Sequence, residues 1–149
     1  MVPATAVDRA WDTVTPIDWS VQLKKILVPI DFSEGSVLAV NEGVLFARAF
    51  GASLVLLHVI HDPEESPGFY AAKKAGKTVF QNMEESARQM LQEFTEQHLE
   101  GFEDFKALTV QGIPAARVLQ TARKRKADLI VMGTRGRGGM DRVMLGSVA

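Results

Sequence analysis

Short runs of consecutive apolar residues alternate along this chain with longer segments in which apolar residues recur at helical spacing. A short apolar run that ends in turn residues is typical of a strand buried on both faces of a sheet. A weaker, alternating run also indicates a strand. Four segments fit these descriptions, and we number them β1 to β4 in chain order: Lys25–Ile30, Ser53–Ile60, Phe105–Val110 and Asp128–Gly133.

The three segments between these strands predict helices, numbered α1 to α3. Helix α1 opens at Ser33 and Glu34 and ends at Gly51, a residue type that often terminates helices. An amphipathic pattern with one apolar face predicts α2 from Met83, Ala87, Met90, Leu91, Phe94 and Leu99. Helix α3 begins at Pro114, and its spacing directs three residues inward: Val118, Leu119 and Ala122.

Strands that alternate with helices predict an α/β three-layer sandwich with an open parallel sheet and right-handed crossovers. Residues 1–22 lack periodicity and form a predicted N-terminal extension outside the core, with Trp11 and Trp19 as candidate anchors. Residues 23–149 then form one domain. Within it, residues 61–79 hold two prolines and two glycines, which predicts a long loop before α2.

The composition narrows the functional classes. The 149 residues are 46% hydrophobic and 23% charged, as in a soluble globular protein, and the formal net charge of -1 gives no overall attraction to nucleic acid or to anionic membranes. The absence of cysteine excludes disulfides and thiolate chemistry. No apolar stretch is long enough to span a bilayer, and the first residues lack the pattern of a secretory signal. We therefore expect a cytoplasmic protein with no nucleic-acid or membrane partner.

The segment after β4 is the richest in glycine, with five glycines in the fourteen positions from Gly133 to Gly146. Glycine lets backbone N–H groups approach a ligand closely, so a glycine-rich turn that leaves a parallel strand can hold an anion such as phosphate. Ser147 follows the last glycine and could cap a helix or hold a phosphate oxygen. Positive charge comes from Arg135, Arg137 and Arg142. The plainer interpretation is a surface loop with flexible glycines.

Two better-known phosphate loops do not fit. Gly76-Lys77-Thr78 resembles the end of a Walker A loop, but Ala71 stands where that loop requires its first glycine. A dinucleotide fingerprint that starts at Gly136 meets Asp141 where the third glycine belongs, and it follows the fourth strand rather than the first.

Two other clusters have plainer interpretations than a site. His58 and His61 lie three residues apart, but no third metal ligand has recognisable spacing, so we expect a hydrogen-bonded structural histidine and no metal. The basic run Arg123–Lys126 is expected in the last turn of α3 from the helix dipole alone.

The glycine spacing and three other segments resemble the universal stress protein family. Gly133, two residues, Gly136, nine residues and Gly146-Ser147 match the pattern of its ATP-binding members. Lys24–Ser33 (KKILVPIDFS), His58-Val59 and DLIVMGTRG at 128–136 are also similar to family segments, so the resemblance runs from about residue 24 to the last residue.

The resemblance implies a Rossmann-like sheet, of the adenine nucleotide alpha hydrolase type, with strand order 3-2-1-4-5. It implies a bound ATP, or AMP or ADP, with or without Mg²⁺. The implied adenosine contacts are Pro29, Ile30, Asp31 and Val59. The implied contacts of the phosphate loop are Met132, Gly133, Arg135, Gly136, Gly146, Ser147 and Val148. From the residues alone, Pro29, Ile30 and Val59 are equally core residues, and Asp31 is equally a cap of α1.

The resemblance also implies a nucleotide-binding module that acts in the stress response through nucleotide-dependent association with a partner or with itself. We expect at most slow ATP hydrolysis and no other catalysis, because the sequence has no recognisable set of Mg²⁺-binding carboxylates, no lysine placed on the phosphates and no candidate base. The family pattern continues beyond Ser147 with a helix and a fifth strand, through which members commonly form homodimers, whereas this sequence stops at Ala149. Two alternatives stay open. One is an ATP-independent interaction protein, and the other is an ATP-using transferase that recruits Asp31 or Arg135.

Overall fold

Strand β1 (Lys25–Ile30) lies inside a parallel sheet and is covered on both faces, as its continuous apolar run predicts. Ile26, Leu27 and Val28 are completely buried. The computed structural model describes residues 22–61, 77–134 and 148. The other elements are α1 (Glu34–Phe50), β2 (Ser53–His61), α2 (Lys77–His98), β3 (Phe105–Gly112), α3 (Pro114–Arg125) and β4 (Leu129–Ile130).

The four strands lie in the order β3-β2-β1-β4, and every pair is parallel. This confirms the predicted α/β class and strand order. The chain moves in one direction from β1 to β3 and then passes back over the sheet to β4, so right-handed crossovers place α1 and α2 on one face and α3 on the other. None of the helices in the described part of the chain is both long and apolar enough to cross a membrane.

Successive side chains along the strands point to opposite faces of the sheet and pack in two separate core clusters. The cluster on the α1 and α2 face contains Ile26, Val28, Leu54 and Leu56, together with Leu91 and Phe94 from α2. The cluster on the α3 face contains Leu27, Val55, Leu57 and Val118. This division follows from the alternation of side chains along a strand and completes a three-layer arrangement.

Helix α1 has the ends that the sequence predicts. The side chain of Ser33 accepts a hydrogen bond from the backbone N–H of Ser36, which caps the first turn. Gly51 takes the left-handed conformation with φ 65°, and its N–H bonds the carbonyl of Ala47.

Four predictions about surfaces and bounds were wrong. Leu119 is 53% exposed, because Val118 and Thr121 define the inward face of α3 and Leu119 projects away from it. Met83 and Met90 are also exposed, so the face of α2 that packs on the sheet is narrower than the apolar pattern. Helix α2 begins at Lys77, within the segment predicted as a loop, and the strand β2 extends to His61.

Strand β4 has two residues rather than the predicted six. It pairs with β1 alone within the described residues, with Ile26 opposite Leu129 and Leu27 opposite Ile130. The apolar run therefore predicts the position of this strand but not how far its hydrogen bonding continues.

Asp128 ties the beginning of β4 to the beginning of β1. Its Oδ2 accepts hydrogen bonds from the backbone N–H groups of Lys24 and Lys25, both at 2.9 Å. These two bonds, together with the positive charges of the two lysines, lower the pKa of the Asp128 carboxyl. On the same edge, Lys25 Nζ donates to the carbonyl of Arg125 at the end of α3.

A stability measurement across pH tests this carboxylate. A lowered pKa in the folded state stabilises the protein above the unfolded value of about 3.9, and this contribution is lost as pH falls through the lowered pKa. We expect Asp128→Asn to reduce the free energy of unfolding at pH 7, by less than about 1 kcal/mol because the side chain is exposed. The difference from the parent should disappear in acid.

Urea unfolding of both proteins at several pH values would measure this difference. Asp104→Asn is the matched control, since this exposed carboxylate accepts no hydrogen bond from the residues that the structure describes. If the free energy of unfolding of Asp128→Asn were lower than that of the parent by the same amount at every pH, the ionised Asp128 carboxylate would not be the source of the stability.

Candidate functional site

Asp31 follows β1 directly and is bound into the first turn of α1. Its Oδ1 accepts hydrogen bonds from the backbone N–H of Ser33 at 3.0 Å, from the hydroxyl of Ser33, and from the hydroxyl of Ser36 at 2.7 Å. The Ser36 hydroxyl in turn accepts from the backbone N–H of Asp31 at 2.8 Å. The carboxylate is therefore fixed at the carboxyl edge of the sheet. A carboxylate can accept about four hydrogen bonds, so this structural role is compatible with a ligand contact.

Phe32 and His58 hold the turn between β1 and α1. Phe32 has a φ of 64°, a conformation that non-glycine residues rarely adopt, and its ring lies 4.4 Å from the ring of His58. His58 Nδ1 is 3.0 Å from the carbonyl oxygen of Ile30. Because a carbonyl only accepts, this nitrogen carries the proton. The histidine is thus a hydrogen-bonded link between the ends of β1 and β2, and no group of three or more metal-binding side chains occurs among the described residues.

Pro29 explains why β4 leaves the sheet so early. The carbonyl of Leu27 accepts a hydrogen bond from the backbone N–H of Val131 at 2.9 Å, so the polar groups of residue 27 face β4. In a parallel strand, the backbone N–H and C=O groups that face one neighbouring strand belong to every second residue. After residue 27, the next residue whose N–H would face β4 is therefore residue 29. Proline has no N–H, and the ladder ends there.

The hydrogen-bonded pairing of β1 with β4 therefore ends near the carboxyl end of β1, where the strand order reverses. The strands β2 and β3 lie on one side of β1, and β4 lies on the other. Open parallel sheets bind ligands in the crevice at such a reversal, outside the carboxyl ends of the strands. Pro29 and Ile30 at the end of β1, Asp31 directly after it, and Met132 and Gly133 beyond β4 lie near this point in the chain. Their contacts with a nucleotide stay a prediction.

Gly133 makes a close backbone contact that the sequence did not reveal. A Cβ atom added to Gly133 would lie 2.9 Å from the carbonyl oxygen of Gly35 and 3.0 Å from its carbonyl carbon. The chain that leaves β4 therefore lies directly on the first turn of α1. Glycine is required at 133 by this contact, independently of any ligand. In the sequence, a glycine at position 35 within α1 is the one feature that could have indicated a close backbone approach at this helix.

A groove of about 450 Å³ lies beside this contact, between α1 and the exit of β4. Its residues are Gly35, Leu38, Ala39 and Glu42 from α1 and Val131 to Thr134 from the chain after β4. Met132 and Gly133 are the only predicted site residues in it. The groove is on the α1 side of the sheet, where the sequence predicted no cavity.

Val59 and Val148 lie on the other side of the sheet. Both are partly buried against the cluster on the α3 face. The structure thus brings residue 148, near the end of the chain, to the same cluster as the end of β2. The predicted residues Arg135, Gly136, Gly146 and Ser147 lie outside the described residues.

Comparison with known proteins identifies the family. A family model described as the universal stress protein family matches residues 22–149. The chain belongs to the universal stress protein family. Universal stress protein MJ0531 of Methanocaldococcus jannaschii is 32% identical over 126 residues, which cover 85% of this chain and 73% of that protein. A universal stress protein of Thermus aquaticus is 34% identical over 124 residues, which cover 83% and 86%.

Solved structures of the family share the fold. The structure of MJ0577, also from Methanocaldococcus jannaschii, is 27% identical and superposes with a TM-score of 0.71 over 86% of each chain. UspA of Lactobacillus plantarum is 26% identical, with a TM-score of 0.64 over 85% of this chain and 88% of that one. A universal stress protein in complex with cAMP is 23% identical, with a TM-score of 0.60 over 85% and 87%, and shares the fold.

The contact between Gly133 and Gly35 predicts a packing penalty for any side chain at 133. We expect Gly133→Ala to lower the free energy of unfolding by about 1–3 kcal/mol, because two backbone segments must separate. Urea unfolding monitored by circular dichroism would measure the loss. Thr134→Ala is the control, since Thr134 is exposed and its truncation should cost less than about 0.5 kcal/mol. Equal stability of Gly133→Ala and the parent would show that the two backbones do not touch.

Proposed function

We propose that this universal stress protein binds an adenine nucleotide, ATP or its mono- or diphosphate, at the carboxyl edge of the sheet between β1 and β4. One observation supports this most strongly. The spacing Gly133, Gly136 and Gly146-Ser147 begins three residues after the last residue of β4, the strand that pairs with β1 at the reversal of strand order. A phosphate-binding loop at this position is the arrangement expected for nucleotides on open parallel sheets.

The proposal assigns separate parts of the nucleotide to separate segments. Backbone N–H groups of the glycine loop and the Ser147 hydroxyl hold the phosphates, with Arg135 as the nearby cation and Val148 adding a backbone contact. Asp31 accepts from the ribose or the adenine, beside Pro29 and Ile30, and Val59 packs on the base. The family member solved with cAMP supports the capacity of this fold to hold an adenine nucleotide, although the ligand is a property of that protein.

In this proposal the nucleotide acts as a switch rather than a substrate. Rapid phosphoryl transfer requires carboxylates that hold Mg²⁺, a lysine on the phosphates and a base that orients the nucleophile. Among the described residues at the carboxyl edge, Asp31 is the carboxylate beside the proposed nucleotide, and its Oδ1 is held by Ser33 and Ser36. Occupancy would instead order the loop after Gly133 and change the surface that a partner, or a second copy in a homodimer, contacts.

Isothermal titration of ATP with Mg²⁺, and of AMP, into the purified chain tests the proposal. We expect binding that Gly136→Val or Ser147→Ala weakens at least tenfold, which corresponds to about 1.4 kcal/mol. Gly133 is unsuitable for this test because its substitution disturbs the packing on Gly35. Thr134→Val, which replaces the hydroxyl of a β-branched side chain inside the motif by a methyl group, should bind as the parent does.

Absence of binding by a parent that is folded by circular dichroism would overturn the proposal and favour the ATP-independent interaction protein. Product formation at a sustained rate of several turnovers per second would instead favour the enzyme.

A pair of variants separates the two roles of Asp31. Asp31→Asn keeps an oxygen that can accept from Ser33 and Ser36 but removes the charge, so we expect a modest change in melting temperature and nucleotide affinity weakened about tenfold. Ser36→Ala removes the 2.7 Å bond to Asp31 and leaves the carboxylate, so it should lower the melting temperature more than the affinity. Unchanged affinity in Asp31→Asn would show that Asp31 serves only the first turn of α1.

A further inference from the structure

The outer face of α1 is unusually apolar for an exposed surface. Leu38 is 66% exposed, Leu45 is 61%, Phe46 is 40% and Phe50 is 50%. Ala49 lies among them and is also exposed. The rings of Phe46 and Phe50 stack on each other with centroids 6.5 Å apart. Contiguous apolar patches of this kind on a soluble protein mark a surface that another segment or molecule covers.

This outer α1 face, formed by Leu38, Leu45, Phe46, Ala49 and Phe50, continues into the groove described above. Leu38 belongs to both, and the groove residues Ala39 and Glu42 lie one or two helical turns from Phe46. The charged residues beside Leu38 are Glu34 and Glu42, each four residues from it along the helix. The apolar band therefore runs along the helix from Phe50 to the exit of β4.

We propose that residues 1–21 cover this band by packing along the outer α1 face. The first support is the side from which the chain enters β1. Leu23 is partly buried against the cluster on the α1 and α2 face, not against the cluster on the α3 face. The first described residues therefore enter β1 with an apolar side chain on the face of the sheet that α1 covers.

The second support is position and reach. Helix α1 runs antiparallel to β1, so Phe50 lies at the edge of the sheet where β1 begins, and the backbone N–H of Ser53 bonds the carbonyl of Lys24 at 3.0 Å. Twenty-one residues can extend up to about 70 Å, whereas the seventeen residues of α1 span about 26 Å. The segment can therefore follow the whole band from Phe50 to the groove.

The third support is composition. The segment carries Trp11, Val14, Ile17, Trp19 and Val21. Tryptophan supplies a large apolar area with a polar N–H that can stay at the surface, which suits a half-buried contact with an apolar helix face. This packing does not require a nucleotide, so it stands apart from the proposed function.

Intrinsic fluorescence tests the proposal directly, because Trp11 and Trp19 are the only two tryptophans of the chain. We expect the parent to show blue-shifted emission with weak quenching by acrylamide. Leu45→Glu and Leu38→Glu place a charge on the outer α1 face without touching the core, and each should shift the emission to the red and raise the quenching constant several-fold. Leu119→Glu is the matched control, as an equally exposed leucine on the opposite face of the sheet, and should leave both unchanged.

Analytical sedimentation of the same proteins tests whether a second copy of the chain, instead of residues 1–21, covers the outer α1 face. Emission that is already fully red-shifted in the parent would overturn the proposal, as would tryptophan signals that Leu45→Glu does not alter. A parent dimer that Leu45→Glu dissociates, with unchanged tryptophan emission, would show that a second copy covers this face instead. Circular dichroism of Leu45→Glu identical to the parent would establish that a fluorescence change reports release of the segment and not unfolding.

Discussion

The burial of β1 between two neighbours and two helical layers is the constraint on which the rest of this fold depends. Its side chains alternate between the two core clusters, and its backbone pairs with β2 on one edge and β4 on the other. The same strand carries a proline at 29, which is unusual in the interior of a sheet because it removes a ladder donor. The missing donor lies toward β4, so the ladder between β1 and β4 stops before the carboxyl end of β1.

The turn after β1 stabilises the carboxyl end of this strand with polar contacts between residues that are close together in the sequence. Asp31, Ser33 and Ser36 form a closed set of hydrogen bonds, and Phe32 adopts a left-handed conformation that the ring of His58 supports. Strain of this kind persists only where the surroundings determine it strongly. The turn after β1 is therefore held in place by contacts within the chain itself.

The sequence could predict the features that arise from local pattern. The apolar runs predicted the four strands, the serine and glycine signals predicted the ends of α1, and the family resemblance predicted the strand order that the structure confirms. It could not predict the exposure of Leu119, because helical spacing does not show which of the adjacent residues Val118 and Leu119 lies nearer the centre of the buried face. The groove and the contact of Gly133 with Gly35 depend on how closely two distant segments approach, which no local pattern encodes. The predicted phosphate contacts at Gly136, Gly146 and Ser147 stay predictions.

The contact between Gly133 and Gly35 has a mechanical consequence. There is no room for even a methyl group between the two backbones, and close-packed interiors transmit displacement rather than absorb it. The start of the segment after β4 therefore cannot move closer to α1 without displacing the first turn of that helix. The contact sets a minimum distance between the carboxyl edge of the sheet and α1, and a side chain at position 133 would increase that distance.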